Sequence, residues 1–249
     1  MKAALFALPI ATVVAGCVSI QTNPPPAGPS ARQSVAPAAR PPWEREWAYL
    51  SKFREANAKL GPPAAGERRV VFLGDSITES WAVSGVFFPG KSYVNRGIGG
   101  QTTAQMLVRF RQDVIGLKPA LVVILAGTND IAENGGPTTL EAIEDNLQSM
   151  AELARLNGIR VVLASILPAV DYPWRRGLQP ADKISAVNRW IAEYCASNHL
   201  VYLDYYSAMV DAKRGLPQEL SGDGVHPSAA GFAVMAPLAE KAIQEALEK

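Results

Sequence analysis

Short apolar runs alternate with longer amphipathic segments along most of the chain. Val70–Leu73, Tyr93–Asn95, Leu121–Leu125, Val161–Ile166 and Leu200–Leu203 have strand character. Segments with helical spacing lie between or after them: Ile77–Val83, Thr103–Gly116, Leu140–Leu156, Asp182–Ala196 and Ala229–Leu247. Strands and helices in alternation predict βαβ units and a five-stranded parallel sheet. Right-handed crossovers place helices on both faces, giving a three-layer α/β/α sandwich. Ligands in such sheets bind beyond the carboxyl ends of the strands. Ahead of the first strand, Trp43, Trp47, Leu50, Phe53 and Leu60 recur at steps of three, four and seven. They predict an amphipathic helix packed on the domain and ended by Gly61-Pro62-Pro63. Residues 43–249 thus read as one domain.

The first 42 residues follow a different pattern. Lys2, the apolar stretch Ala3–Val14 and the small pair Ala15-Gly16 read as an export signal over residues 1–16, too short to span a bilayer. Val14-Ala15-Gly16-Cys17 resembles the lipobox of bacterial lipoproteins. The resemblance implies cleavage before Cys17 and a diacylglycerol on its thiol; an ordinary secreted protein with a chance cysteine is the alternative. Residues 17–42 read as a tether, since seven of the 19 prolines fall between Pro24 and Pro42. Such a segment buries too little surface to fold. Near polyproline geometry, about 20 residues span roughly 60 Å. The expectation is an exported protein, lipid-anchored to a bacterial membrane on its periplasmic or cell-surface side.

Composition narrows the field. Apolar residues make up 48% of the 249, which excludes a disordered protein. The chain has 24 basic and 23 acidic side chains and no long Lys/Arg block, so no nucleic-acid partner is expected. Two cysteines and two histidines leave little material for a zinc site. With Cys17 acylated, Cys195 has no disulfide partner and reads as a small buried thiol.

Chemistry-bearing residues cluster where the predicted strands end. The first ends in Gly74-Asp75-Ser76, the second in Asn95-Arg96-Gly97-Ile98-Gly99-Gly100-Gln101, the third in Ala126-Gly127-Thr128-Asn129-Asp130. The loop before the last helix reads Asp223-Gly224-Val225-His226-Pro227. On one rim they supply a hydroxyl, a glycine-flanked backbone, a carboxamide and a carboxylate–imidazole pair, the parts of a serine esterase. Each piece also has a plain structural reading. Ser76-Ile77-Thr78-Glu79 fits a helix cap, the glycines fit a tight turn, and Asn129-Asp130 and Asp223-Gly224 fit turns. The four together, in this order, favour the chemical reading.

That set resembles the GDSL/SGNH hydrolase family over nearly all of residues 67–240, with Gly74-Asp75-Ser76-Ile77 carrying Ile where the family name has Leu. The resemblance implies a flavodoxin-like fold. It implies that Ser76 is the nucleophile, His226 the base and Asp223 the orienting acid. Ser76, Gly100 and Asn129 would form the oxyanion hole. Within the family, the aromatic leading segment and Asn95–Gly100 look most like the platelet-activating-factor acetylhydrolase subunits. The implied activity is hydrolysis of carboxylic esters through an acyl-enzyme, with neither metal nor organic cofactor.

Other expectations carry less detail. His226 has a carboxylate three residues away, whereas His199 follows Asn198 at the entrance to an inner strand. The connection Leu167–Pro180 carries Tyr172, Trp174, Arg175 and Arg176, which would either overhang the site or form a plain surface loop. Trp174 would stack on a sugar and the arginines would meet an anionic group. Trp81 would line the acyl pocket or fill core. Short acyl esters, O-acetylated carbohydrates among them, are favoured over long-chain lipids because no extended apolar lid is visible. Residues 85–92 fit the phosphate-binding pattern G-x-x-x-x-G-K-[ST], but a helix-like segment precedes them and a strand follows, the reverse of what that motif needs. A non-catalytic binding lipoprotein that has kept the fold is the main rival to the esterase.

Overall fold

The computed structural model describes residues 46–249. The leader, Cys17, the proline-rich tether and Trp43 lie outside the described residues. Five strands form one parallel sheet in the order β2-β1-β3-β4-β5. They are β1 (Val70–Gly74), β2 (Tyr93–Gly97), β3 (Leu121–Leu125), β4 (Arg160–Ala164) and β5 (Val201–Leu203). The helices are α1 (Arg54–Leu60), α2 (Ser76–Val83), α3 (Thr103–Asp113), α4 (Thr128–Ile131), α5 (Leu140–Leu156), α6 (Ala181–Asn198), α7 (Tyr206–Met209) and α8 (Ala229–Glu248).

Strand periodicity divides the core in two. Val71, Leu73, Val122, Ile124, Val161 and Leu163 face the apolar stripes of α3, α5 and α6. Val70, Phe72, Leu121, Val123, Leu125 and Val162 face α2 and α8. Both faces being covered, the inner strands β1 and β3 are continuous apolar runs rather than alternating ones, whereas the edge strand β2 carries Asn95 and Arg96. The chain crosses from β2 back over β1 to β3, so β1 and β3 diverge in their connections, and the crevice at their carboxyl ends is the switch point of the sheet.

The leading segment departs from expectation. Helix begins only at Arg54, and Tyr49 takes a left-handed φ of 52°, which no helix accommodates. Trp47 is 60% exposed. Three glutamine amides hold this strap instead. Gln101 Nε2 donates to Ala48 O at 3.0 Å, Gln112 Nε2 to Leu50 O at 2.7 Å, and Gln105 Nε2 to Trp47 O.

Candidate active site

Ser76 is the first residue of α2, directly after β1. Asp75 caps that helix by accepting the Ile77 N–H at 2.9 Å. Ser76 Oγ lies 2.8 Å from His226 Nε2, and His226 Nδ1 lies 2.6 Å from Asp223 Oδ2. The three form one hydrogen-bonded chain across 150 residues of sequence. The short contact to Asp223 fits Nδ1–H as donor, which leaves Nε2 free to accept the Ser76 proton.

The imidazole is held by a self-braced turn. Asp223 Oδ1 accepts the N–H of His226 at 2.8 Å and of Val225 at 2.9 Å. Ser221 Oγ lies 3.1 Å from the same carboxylate oxygen and 2.8 Å from His226 O, and accepts the Gly224 N–H at 2.9 Å. Partial burial opposes ionisation of Asp223, but the hydrogen bonds from His226 and Val225 outweigh it and hold the carboxyl down to about 2.

The other wall is buried. Ile98 N–H bonds Gly74 O at 3.1 Å, which docks the loop after β2 on the end of β1. Gly97 packs against α2 so closely that a Cβ there would lie 2.2 Å from Glu79 N. Gly100 takes a φ of 77°, a left-handed turn that directs the loop back toward α3. The Gly100 N–H has no acceptor among the described residues. The Ser76 N–H, at the start of a helix, has no intrahelical partner. Asn129 is the second residue of α4 and is 2% exposed. Its Nδ2 donates to Asp75 Oδ2 at 3.2 Å and to Gln101 O at 3.1 Å, and its Oδ1 accepts from Asn134 Nδ2. Burial pushes the Asp75 carboxyl up to about 6.

The remaining expected residues separate. Trp81 does not line the rim: it is 1% exposed and stacks on Phe232, with ring centroids 5.1 Å apart. Five residues along a helix turn it about 140° from Ser76, so it faces the core beneath α8. Tyr172 is fully buried, stacked on Trp174 at 5.2 Å. Trp174, 44% exposed, lies 5.9 Å from the His226 ring and donates from Nε1 to Asn134 Oδ1 at 2.9 Å. Asn134 therefore joins the 167–180 connection to Asn129. Neither arginine stands clear of carboxylates. Arg175 is paired with Glu133 at 2.7 Å, and the cavity of about 260 Å³ that Arg176 lines also contains Asp171 and Asp223.

Residues 85–92 lie away from this rim, at the amino end of β2. Phe88 packs on Phe72 and Trp81, and Lys91 pairs with Glu240 at 3.2 Å. His199 ends α6 ahead of β5, on the opposite end of the sheet. Cys195 is 1% exposed, and burial pushes its thiol up to about 12, consistent with the buried-thiol reading. Asn134, Ser221 and Arg109 were not singled out by the sequence. Only Arg109 leaves a signal there: a charge among the inward-facing positions Met106, Phe110 and Asp113 of α3.

A serine hydroxyl on an imidazole, at the switch point of a doubly wound sheet, has the geometry of a serine hydrolase. Residues 72–234 match the GDSL-like lipase/acylhydrolase family. The chain belongs to that family. A GDSL-like lipase from Bacteroides thetaiotaomicron VPI-5482 shares 45% identity and superposes with a TM-score of 0.79, covering 81% of this chain and all of that one. The acetylxylan esterase of Geobacillus stearothermophilus is 29% identical over 207 residues, 69% of this chain and 91% of that protein. Esterase TesA of Pseudomonas aeruginosa is 33% identical over 137 residues, 55% of this chain and 62% of TesA. The chain spans 33% and 62% of the length of the first two curated relatives it matches.

Proposed function

We propose that this protein hydrolyses short-chain carboxylic esters through an acyl-enzyme on Ser76. The observation that carries the reading is the Ser76–His226–Asp223 chain, with contacts of 2.8 and 2.6 Å. As Ser76 Oγ bonds the ester carbonyl carbon, its proton passes to His226 Nε2. Asp223 fixes the tautomer and stabilises the imidazolium. The carbonyl oxygen, now an oxyanion, meets the Ser76 and Gly100 N–H groups, both without acceptors among the described residues. Asn129 adds a third donor by sharing one of its two long amide bonds. His226 then protonates the departing alcohol. Water, deprotonated by the same imidazole, attacks the acyl carbon, and its collapse returns the proton to Ser76 Oγ and releases the acid. The chemistry needs neither metal nor organic cofactor.

O-acetylated carbohydrates are the favoured natural esters. The likeness to an acetylxylan esterase supports this, as does the half-exposed indole of Trp174 beside His226, a surface suited to stacking on a sugar ring. The proposed setting is the periplasmic or cell-surface side of a bacterial membrane, with the domain tethered through an acylated Cys17. Cys17→Ala should abolish incorporation of labelled fatty acid; undiminished labelling would remove the anchor.

Hydrolysis of p-nitrophenyl acetate and of acetylated xylo-oligosaccharides tests the activity. Ser76→Ala should lower kcat by about 10⁶. Equal rates in both proteins would overturn the reading in favour of a binding protein.

A further inference from the structure

Arg109 has no part in the steps above, yet it is fully buried on α3. Each of its nitrogens is engaged. Nη2 donates to Gly74 O at 3.0 Å, Nη1 to Asp113 Oδ2 at 3.2 Å, and Nε to Gln101 Oε1. Gly74 stands two residues before Ser76, and Gln101 directly follows Gly100. One planar group therefore ties the strand end that carries the Ser76 N–H to the loop that carries the Gly100 N–H. The third donor belongs to the same assembly, because Gln101 O accepts from Asn129 Nδ2. The fork is anchored at its far end: Asn57 Nδ2 bonds Asp113 Oδ1 at 2.7 Å, and Asn57 Oδ1 accepts from Arg96 Nε at 2.9 Å.

A buried ion pair is weak support for stability, since well-packed apolar side chains of similar volume serve as well. Packing alone does not account for a guanidinium here. What an apolar side chain lacks is the fixed fork that joins the Gly74 main-chain oxygen to the Gln101 side chain at one spacing. We infer that Arg109 is a positioning residue that sets the distance between the oxyanion-binding N–H groups of Ser76 and Gly100. The inference rests on the reading of Ser76, Gly100 and Asn129 given above. Such donors act only when they stand at hydrogen-bonding distance from the place where negative charge develops. Loss of the fork therefore weakens the transition state more than the bound ester.

The test compares wild type with Arg109→Lys and with the double variant Arg109→Met/Asp113→Asn, which removes the pair without stranding a carboxylate. Circular dichroism reports folding. Kinetics on p-nitrophenyl acetate give kcat and KM separately. A phenylboronic acid, which adds to Ser76 as a tetrahedral anion, reports the cradle directly. The folded double variant should lose about 10²–10³ in kcat, the scale of one misplaced oxyanion donor, with KM within threefold. Boronate affinity should fall by a similar factor, and Arg109→Lys should recover part of both. Unchanged kcat in a folded double variant, a loss confined to KM, or lost kcat with full boronate affinity would each overturn the inference. If the double variant fails to fold, Gln101→Met cuts the link to the loop while keeping the ion pair. It should lower kcat and boronate affinity about tenfold together, and an unchanged kcat there also overturns the inference. Activity surviving in Ser76→Ala would sink the esterase reading itself, whereas a Ser76-dependent enzyme indifferent to Arg109 would lose only this inference.

Discussion

The two walls of the site are built by opposite means. The wall that carries His226 is local: Ser221, Asp223, Gly224, Val225 and His226 bond to one another within six residues, and the His226 and Asp223 side chains keep 31% and 42% exposure. The wall that carries Ser76 is assembled from distant segments. Asn129 reaches Asp75 across 54 positions and Gln101 across 28, and Arg109 reaches Gly74 across 35, all buried. The difference separates chemistry from stability. On the first wall, the Asp223 or His226 side chain can be lost without opening the core. On the second, the groups that would hold the oxyanion also join the sheet to its helices, so activity and folding are coupled.

Four experiments sharpen or break this contrast. The largest effect is expected from His226→Ala, with kcat lower by about 10⁶ and a melting temperature within about 2 °C of wild type. A large loss of stability would mean that the turn is not autonomous. Asn129→Ala comes next. It should lower kcat by about 10²–10³ and also cost about 1–3 kcal/mol in urea unfolding, because Asp75 Oδ2 and Gln101 O lose a buried donor. A pure rate effect with full stability would dissolve the distinction between the walls. Ser221→Ala removes a brace from the turn and should cost about tenfold in kcat with little change in KM.

The smallest expected effect is in pH-dependent stability, where the walls have opposite signs. Asp223 is held down to about 2, so its contribution is present above about pH 4 and is lost as pH falls toward 2. Asp75 is pushed up to about 6, so its contribution is present below about pH 4 and is lost as pH rises through 6. Melting temperatures across pH 2–7 should show Asp223→Asn narrowing its gap to wild type only on the acid limb. A gap constant over the whole range would refute the assignment.

The same contrast explains what could be read from the chain. Strands β1 and β3 and most of β4 were legible because both faces are covered, which leaves uninterrupted apolar runs; the edge strand β2 breaks that pattern at Asn95 and Arg96 and shows itself only by its apolar start, Tyr93-Val94. Ser76, Asp223 and His226, which the structure brings into contact, could be picked out because each lies in a short motif at a strand or helix boundary, as do Gly100 and Asn129. Arg109 and Asn134 were not, since their partners are far away in sequence and a lone Arg or Asn carries no motif. The leading segment misled for a related reason. Its aromatic spacing matches a helix, but the strap is gripped through main-chain oxygens, to which hydrophobic periodicity is blind. Of the two readings open for Trp81, acyl pocket or core, the structure favours core, because nearness along a helix is not nearness on its surface.

That grip has a practical corollary. Gln101, Gln105 and Gln112 hold the carbonyls of Ala48, Trp47 and Leu50, a hand-hold that any amino acid at those three positions offers equally. The strip bordering the Gly97–Gln101 loop is thus interchangeable where its side chains face solvent, as at Trp47, and not at buried Ala48. Selection or a protein engineer can change that exposed side chain without loosening the grip.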